Sequence, residues 1–470
     1  MSLSTYFDYI HTLLPDDQWE AYTSCCTTWV MRSLTWSWHR PRSDVRSLLE
    51  WQWRTFTQPN FVVAENHHLV DREDKSVALG HHWWHLWGWY YIQESAASLP
   101  ATLIDYRPDD VILDMCAAPW GKTSQLASNL LKLWWSGFVV ANEIDNLRRS
   151  TLKENITRMW LYNVTVAYRH SSRRAEHYPS NFDHIVVDAP CSGEGTIFRT
   201  TEFMDQWGLW LTHKNAEIQK QIAGDAIACL KPWWTLIFST CTLNTNENEW
   251  VVAWILENYG DQMHLVPVNI PWSSPWLSWF GLSDEDCLKV ARFWPHIQHT
   301  GGFWVSKFIK RRDANTARPW KKNSSIESCT SNNCWSRAML KSQLGITLPE
   351  YTRVYEDKWF GYLTTTQKLS WFESGLPILK LGQWWITPLQ PLIPALWHLS
   401  DLPRIDLDDE QIQQWMMNTQ IEYNSPLIKH SNEYKGGAEG GGIKWWVIVS
   451  SHWFDVWLGK VWWWVLKNKM

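Results

Sequence analysis

Two cysteines in polar, turn-forming surroundings carry the strongest chemical signal in this chain. Cys191 stands in VVDAPCSGEGTIFR, residues 186–199, and Cys241 in FSTCTLNTNENE, residues 238–249. Each follows a short apolar run of the kind that forms a buried strand. A thiol at a strand tip, flanked by Asp, Ser, Thr and Gly, stands at the ligand edge of a sheet and is a group able to react once ionised. Two such thiols at neighbouring strand ends can face one pocket. The competing reading is a pair of structural cysteines, since free Cys is among the most buried residue types. The polar loop formers around both positions argue against it.

A second constellation lies upstream. DMCAAPWGKTSQLA, residues 114–127, ends a strand, turns tightly and opens a helix. Such a turn offers backbone N–H groups and a helix N-terminus to a polar or anionic ligand. The next strand ends in ANEID, residues 141–145. Glu143 there, with Asp145 as the fallback, is a carboxylate able to accept hydrogen bonds from both ribose hydroxyls of an adenosine.

The elements that must position these groups are legible. Apolar runs suited to parallel strands occur at Val111–Ala117, Phe138–Glu143, Val164–Tyr168, His184–Asp188 and Thr235–Cys241. Helical stretches at Thr123–Leu133, Leu147–Met159 and Lys214–Leu230 lie between them. This alternation predicts an α/β doubly wound sheet with the strand C-termini along one ligand edge. Residues 1–100 mix helical segments with polar loops, 101–312 hold the α/β pattern, 313–340 read as a polar linker, and 341–470 as a small β-rich accessory region.

Composition limits the function classes. The 470 residues are 45% hydrophobic with a net charge of −5, so a nucleic-acid binder of this kind concentrates its cations in patches. Basic clusters occur at Arg148, Arg149 and Lys153, at 169–174, and at 307–322. The nine cysteines form no CxxC pair, so no zinc ribbon or other metal site is expected. Scattered free thiols point to a reducing cytoplasm. Neither a secretory signal nor a membrane span is expected.

Taken in order, DMCAAPxGKT, ANE, DAPCSGEG, LKPxxTLIFSTCTLN and ENE resemble the RNA cytosine-C5 methyltransferases of the NOL1/NOP2/Sun type over roughly residues 90–310. GEGTIFR, YYIQES at 90–95 and RFWPHIQHTGGFWVSK at 292–307 are similar to the bacterial 16S rRNA methyltransferase F group within it. The resemblance implies a Rossmann-like S-adenosylmethionine-binding sheet with an N-terminal and a C-terminal, PUA-like, RNA-binding region. It implies Cys241 as the thiol that adds to cytosine C6, Cys191 as the cysteine that helps resolve the adduct, and Asp188 at the cytosine edge beside the cofactor. Cys116, Ala117, Ala118, Pro119, Trp120, Gly121, Lys122, Glu143 and Asp188 are the implied cofactor contacts. The implied partner is 16S rRNA or the small ribosomal subunit. The alternatives are tRNA methylation and a non-catalytic RNA-binding or assembly protein on the same fold.

One departure is systematic. Trp occurs 40 times and Gly only 22, below the usual Gly share of about 7%. Trp120, Trp160, Trp233 and Trp234 stand where the family has turn glycines, as do Trp457 and Trp462–Trp464 near the C-terminus. Such turns favour positive φ, which only Gly adopts cheaply. A gene using UGA for Gly, read as though UGA meant Trp, would give this pattern. Aromatic enrichment for base stacking is the alternative, and the position of these residues on tight turns speaks against it. His170 falls where relatives carry an Asp towards the adenine, and reads more simply as a solvated loop histidine.

Overall fold

The computed structural model describes residues 3–27, 32–38, 55–57, 67–71, 78–81, 83–86, 88–118, 121–133, 137–168, 170–172, 178–198, 207–271, 273–274, 282–311, 340–341 and 348, and from 353 to 468 strand segments alone. The chain folds as two compact units. One holds residues 1–155 and 164–323 with 371–373, and the other holds the remainder.

The first unit contains the predicted α/β sheet. Its strands are β5 (Val111–Asp114), β6 (Phe138–Asn142), β7 (Val164–Ala167), β8 (Phe182–Asp188), β9 (Leu230–Thr240), β10 (Met263–Val266), β11 (Ala291–Phe293) and β12 (Phe303–Lys310). The order is β10-β12-β9-β8-β5-β6-β7. From β7 to β9 every pairing is parallel; β12 and β10 close that side antiparallel. β5 and β8 are neighbours although two strands separate them in sequence. The chain order therefore reverses between them, and the crevice at their C-terminal ends is where an open α/β sheet takes its ligand.

Four helices flank this sheet in sequence: α3 (Gly121–Leu131), α4 (Asn146–Arg158), α5 (Leu209–Cys229) and α6 (Glu249–Tyr259). α5 buries Ala216, Ala223, Ala226 and Ile227, and these join Ile185, Val187, Leu236 and Phe238 of β8 and β9 in one core. The small alanines let the helix approach the strands closely. Each fully buried aliphatic side chain in that core contributes roughly 1.5–3 kcal/mol. Pro232, three residues past the helix, cannot continue it.

The N-terminal region departs from the helix-and-loop expectation. α1 (Leu3–His11) and α2 (Asp16–Thr27) are followed by a four-stranded antiparallel sheet, β1 (Arg32–Trp36), β2 (Thr55–Thr57), β3 (His67–Asp71) and β4 (Tyr90–Ile92), in the order β2-β3-β1-β4. These strands have only three to five residues and are far apart in sequence, so no local period marks them. Tyr6, Ile10 and Tyr22 of α1 and α2 share a core with Trp207, Leu243 and Trp294. The N-terminal helices thus pack directly on the loop that follows Cys241.

Two tryptophans occupy the left-handed region as expected for displaced glycines: Trp160 at φ 56° and Trp233 at φ 73°. Leu230 pairs with Phe182 and Thr235 with His184, so residues 231–234 bulge opposite Asp183. Trp233 sits at the crest, 69% exposed. Trp234 corrects the expectation. It has no positive φ, and its ring packs edge-on to His184 at 5.0 Å and under Arg107 at 4.6 Å. Trp457 and Trp462 lie in the strand Phe454–Trp462. Trp120, Trp463 and Trp464 lie outside the described residues.

The second unit is described as strands: a four-stranded antiparallel sheet between 353 and 388, and a five-stranded mixed sheet between 404 and 468. Among the described residues no helix is long and apolar enough to cross a membrane.

Candidate active site

The turn after β5 is fastened on both sides. Met115 N donates to Val186 O and Ala117 N to Asn142 O, each at 2.9 Å, while the Asn142 amide returns a bond to Met115 O at 3.0 Å. Thr123 Oγ1 donates to Asp114 Oδ2 at 2.6 Å, tying the first turn of α3 to the strand end. Burial pushes the Asp114 carboxyl up to about 7, against the lowering effect of Thr123 and Lys122. Cys116, Ala117, Ala118, Gly121 and Lys122 all fall on this turn and helix start; Pro119, like Trp120, lies outside the described residues. Glu143 is buried at the tip of β6 and accepts a bond from Asp145 N at 2.8 Å. Asp145 takes the cap role instead, accepting from Arg148 N at 2.8 Å. A helix N-terminus, a buried carboxylate at the second strand tip and a carboxylate at the crevice form a donor and acceptor set that fits an adenosine cofactor with a charged tail. His170 is exposed and its ring lies 3.1 Å from Ser172 Oγ, as a solvated loop histidine would.

Across the crevice, Asp188 ends β8. Its Oδ2 lies 2.5 Å from Lys122 Nζ and its Oδ1 accepts from Ser239 Oγ at 2.9 Å. The structure thus places Lys122 on Asp188 across the crevice. The two cysteines come together: Cys191 Sγ and Cys241 Sγ are 3.3 Å apart. The hydrogen bond to Cys241, then burial, pushes the Cys191 thiol far above its ordinary range. Cys191 therefore keeps its proton, and either sulfur can be the donor in the contact between the two.

Glycine is required where the loops meet. Gly195 N donates to Cys241 O and Gly302 N to Gly195 O, both at 2.9 Å. A Cβ on Gly195 would lie 1.9 Å from Gly302 O. The loop carrying Gly302 is held in turn by Glu94, whose Oε1 accepts from Thr300 Oγ1 at 2.7 Å and Gly301 N at 3.0 Å.

Sequence reasoning missed the layer beneath the thiols: Ser192, Glu194, Gln219, Asn244 and Glu247 form one buried hydrogen-bonded cluster. The signal was present in SGEG and NTNENE, where acidic and amide residues crowd two strand-end loops, but nothing local said that the loops touch. Among the described residues no group of three or more His, Cys, Asp or Glu is arranged for a metal ion.

The reversed strand order, the fastened turn and the acidic strand tip define a Rossmann-like S-adenosylmethionine-dependent methyltransferase. Known proteins agree with that class. The family profile described as 16S rRNA methyltransferase RsmB/F matches residues 101–309. The ribosomal RNA small subunit methyltransferase F of Photobacterium profundum is 32% identical over 375 residues, 77% of this chain and 76% of its own. That of Vibrio cholerae is 28% identical, over 79% and 80%. That of Aeromonas salmonicida is 33% identical over 51% of this chain and 50% of its own. A methyltransferase homologue from Pyrococcus horikoshii superposes with a TM-score of 0.54 at 26% identity, covering 66% of this chain and all of that one. NSun6 from the same organism, with SFG, shares the fold at a TM-score of 0.55 and 20% identity, over 66% of this chain and 98% of that one. The chain belongs to the 16S rRNA methyltransferase RsmB/F family.

Proposed function

We propose that this protein methylates carbon 5 of a cytosine in RNA, with 16S rRNA as the substrate class and Cys241 as the nucleophile. The observation that carries the reading is the 3.3 Å approach of Cys191 and Cys241 at the ends of two adjacent parallel strands, beside the Lys122–Asp188 pair. Cytosine C5 is a poor nucleophile. A bond from Cys241 Sγ to C6 turns C5 into an enamine carbon able to accept an electrophilic methyl. The bound cofactor supplies that methyl as a sulfonium. The cycle closes when C5 loses its proton and the Sγ–C6 bond breaks.

Each residue has a stated task in this reading. Cys191 holds its proton against the Cys241 sulfur and serves the release step. Asp188, fixed by Lys122 and Ser239, meets the polar edge of the cytosine. Glu143 accepts from the ribose hydroxyls, and the turn at 116–118 with Gly121 and Lys122 faces the rest of the cofactor. The target base must leave its stack to reach this crevice. The names of the relatives support 16S rRNA as substrate. The strand-rich part at 341–470 is read as the PUA-like RNA-binding region, and 1–100 as a second RNA-binding region. Purified protein given labelled S-adenosylmethionine and either 16S rRNA, small subunits or tRNA should yield 5-methylcytosine in the first or second. Methylation of tRNA alone would overturn the substrate assignment.

A further inference from the structure

The cluster beneath the two thiols is unusual in its proton accounting. Ser192 Oγ lies 2.7 Å from Glu194 Oε1, also bonds Glu247 Oε1, and lies 3.2 Å from Thr242 Oγ1. Asn244 Nδ2 reaches the same Glu194 oxygen at 2.8 Å and the same Glu247 oxygen at 2.9 Å. Trp207 Nε1 adds a bond to Glu194 Oε1 at 2.7 Å, and Gln219 Nε2 one to Glu247 Oε2 at 2.8 Å. Ser192 has one hydroxyl hydrogen and cannot donate to both carboxyls. Two buried carboxylates sharing one hydroxyl repel strongly, so one of them carries a proton that completes the network.

The cluster's position gives it a task. Ser192 follows Cys191 and Thr242 follows Cys241. The Ser192 N–H donates to Glu247 at 3.1 Å, so Glu247 grips the backbone next to one thiol. Asn244 Nδ2 also lies 2.6 Å from Thr242 Oγ1, its two hydrogens being shared among this hydroxyl and the two carboxyls, and so grips the residue next to the other. We propose that Glu194 and Glu247, holding one proton between them through Ser192, are positioning residues that clamp the Cys191 loop onto the Cys241 loop and so set the thiol–thiol hydrogen bond. This deepens the proposed function and rests on Cys241 being the nucleophile. Burial first, and the charge of Glu194 second, push the Glu247 carboxyl up to about 7, consistent with its being the protonated partner. Of the titratable groups around the pair, Cys191 faces both carboxyls, and Tyr6 and Tyr9 of α1 face Glu194. Arg292 lies near Tyr9, with its charge matched by Glu249.

The test is the pH profile of Cys241 alkylation by iodoacetamide in the full chain, read by peptide mass spectrometry, with melting curves as the control for folding. Loss of the clamp separates the two sulfurs, and with them the Cys191 proton that would stabilise a Cys241 thiolate. Glu247→Ala should therefore move the profile upward by about one pH unit, a tenfold loss of thiolate at fixed pH. Mere removal of a nearby negative charge would move it downward. Glu247→Gln, which can still accept from Ser192 N–H and hydrogen-bond Ser192 Oγ, should stay near the parent profile. If Glu247→Ala fails to fold, Ser192→Ala removes the shared hydroxyl and should shift the profile the same way. An unchanged or downward shift in the folded Ala variant, or a Gln variant displaced as far upward as Ala, overturns the proposal. Failure of the nucleophile assignment would appear separately, as methyl transfer by Cys241→Ala.

Discussion

Lys122 Nζ and Asp188 Oδ2 stand 2.5 Å apart, both largely shielded from solvent, and so join the first turn of α3 to the strand end that precedes Cys191. The pair spans the crevice between β5 and β8. Removing one partner leaves a poorly solvated charge, at a cost of about 3–5 kcal/mol when fully buried. Lys122→Met should lower the melting temperature and reduce methyl transfer at least tenfold. Asp188→Asn in the same background should restore part of the stability but not the activity. Additive losses in that double-mutant cycle would mean that the pair does not act as a unit.

Cys241→Ala should abolish methylation while leaving S-adenosylmethionine affinity nearly intact, because the thiol acts on the base. Activity assays and calorimetric binding on the same preparation check both halves. Residual turnover at the parent rate would remove Cys241 from the mechanism.

Cys191→Ala should trap a covalent RNA–protein adduct, since attack by Cys241 proceeds while release slows. A denaturing gel resolves the shifted band. Normal turnover without that band would reduce Cys191 to a structural thiol.

Trp233→Gly should stabilise the protein by about 1–2 kcal/mol, the cost of holding a non-glycine residue in the left-handed region. Its indole is mostly exposed, so little packing is lost. Trp160→Gly relieves a similar φ but removes a side chain only 3% exposed. The roughly 3–5 kcal/mol typical of emptying a buried aromatic site then outweighs the relief. Trp234→Gly should also destabilise, because that ring packs on His184 and Arg107 without strain. Thermal melting of the three single variants tests the order. Stabilisation only at Trp233 would match the strain argument. The codons at 120, 160 and 233 would settle whether UGA underlies them.

The pH dependence follows from Asp114. Its carboxyl is raised from an ordinary 3.8 to about 7 in the folded chain, so between those values the folded state binds more protons than the unfolded. Stability from this group is complete at low pH and is lost as pH rises from about 4 to 7. His67, lowered to about 3 by burial, works in the opposite sense over part of that range. The clean readout is therefore a difference: relative to Asp114→Asn, the parent should lose stability as pH rises through that window. A pH-independent difference would contradict the shift.

The sequence by itself determined the parallel strands, the helices between them and the residues at the strand tips. Those signals are local: a buried strand is an apolar run, and DMCAAP, ANE, DAPC and STC each end one. It also located two left-handed backbones, at Trp160 and Trp233, because a turn that wants glycine is a local demand. What it left open depends on residues far apart in the chain. Only the fold brought Cys191 within 3.3 Å of Cys241, set Lys122 against Asp188, gave Trp234 a packed and unstrained place, and formed the N-terminal sheet from strands of three to five residues. Only the fold, too, drew Ser192, Glu194, Asn244 and Glu247 into one buried cluster, because a carboxylate's surroundings are set by which loops meet around it, and sequence spacing does not encode that meeting.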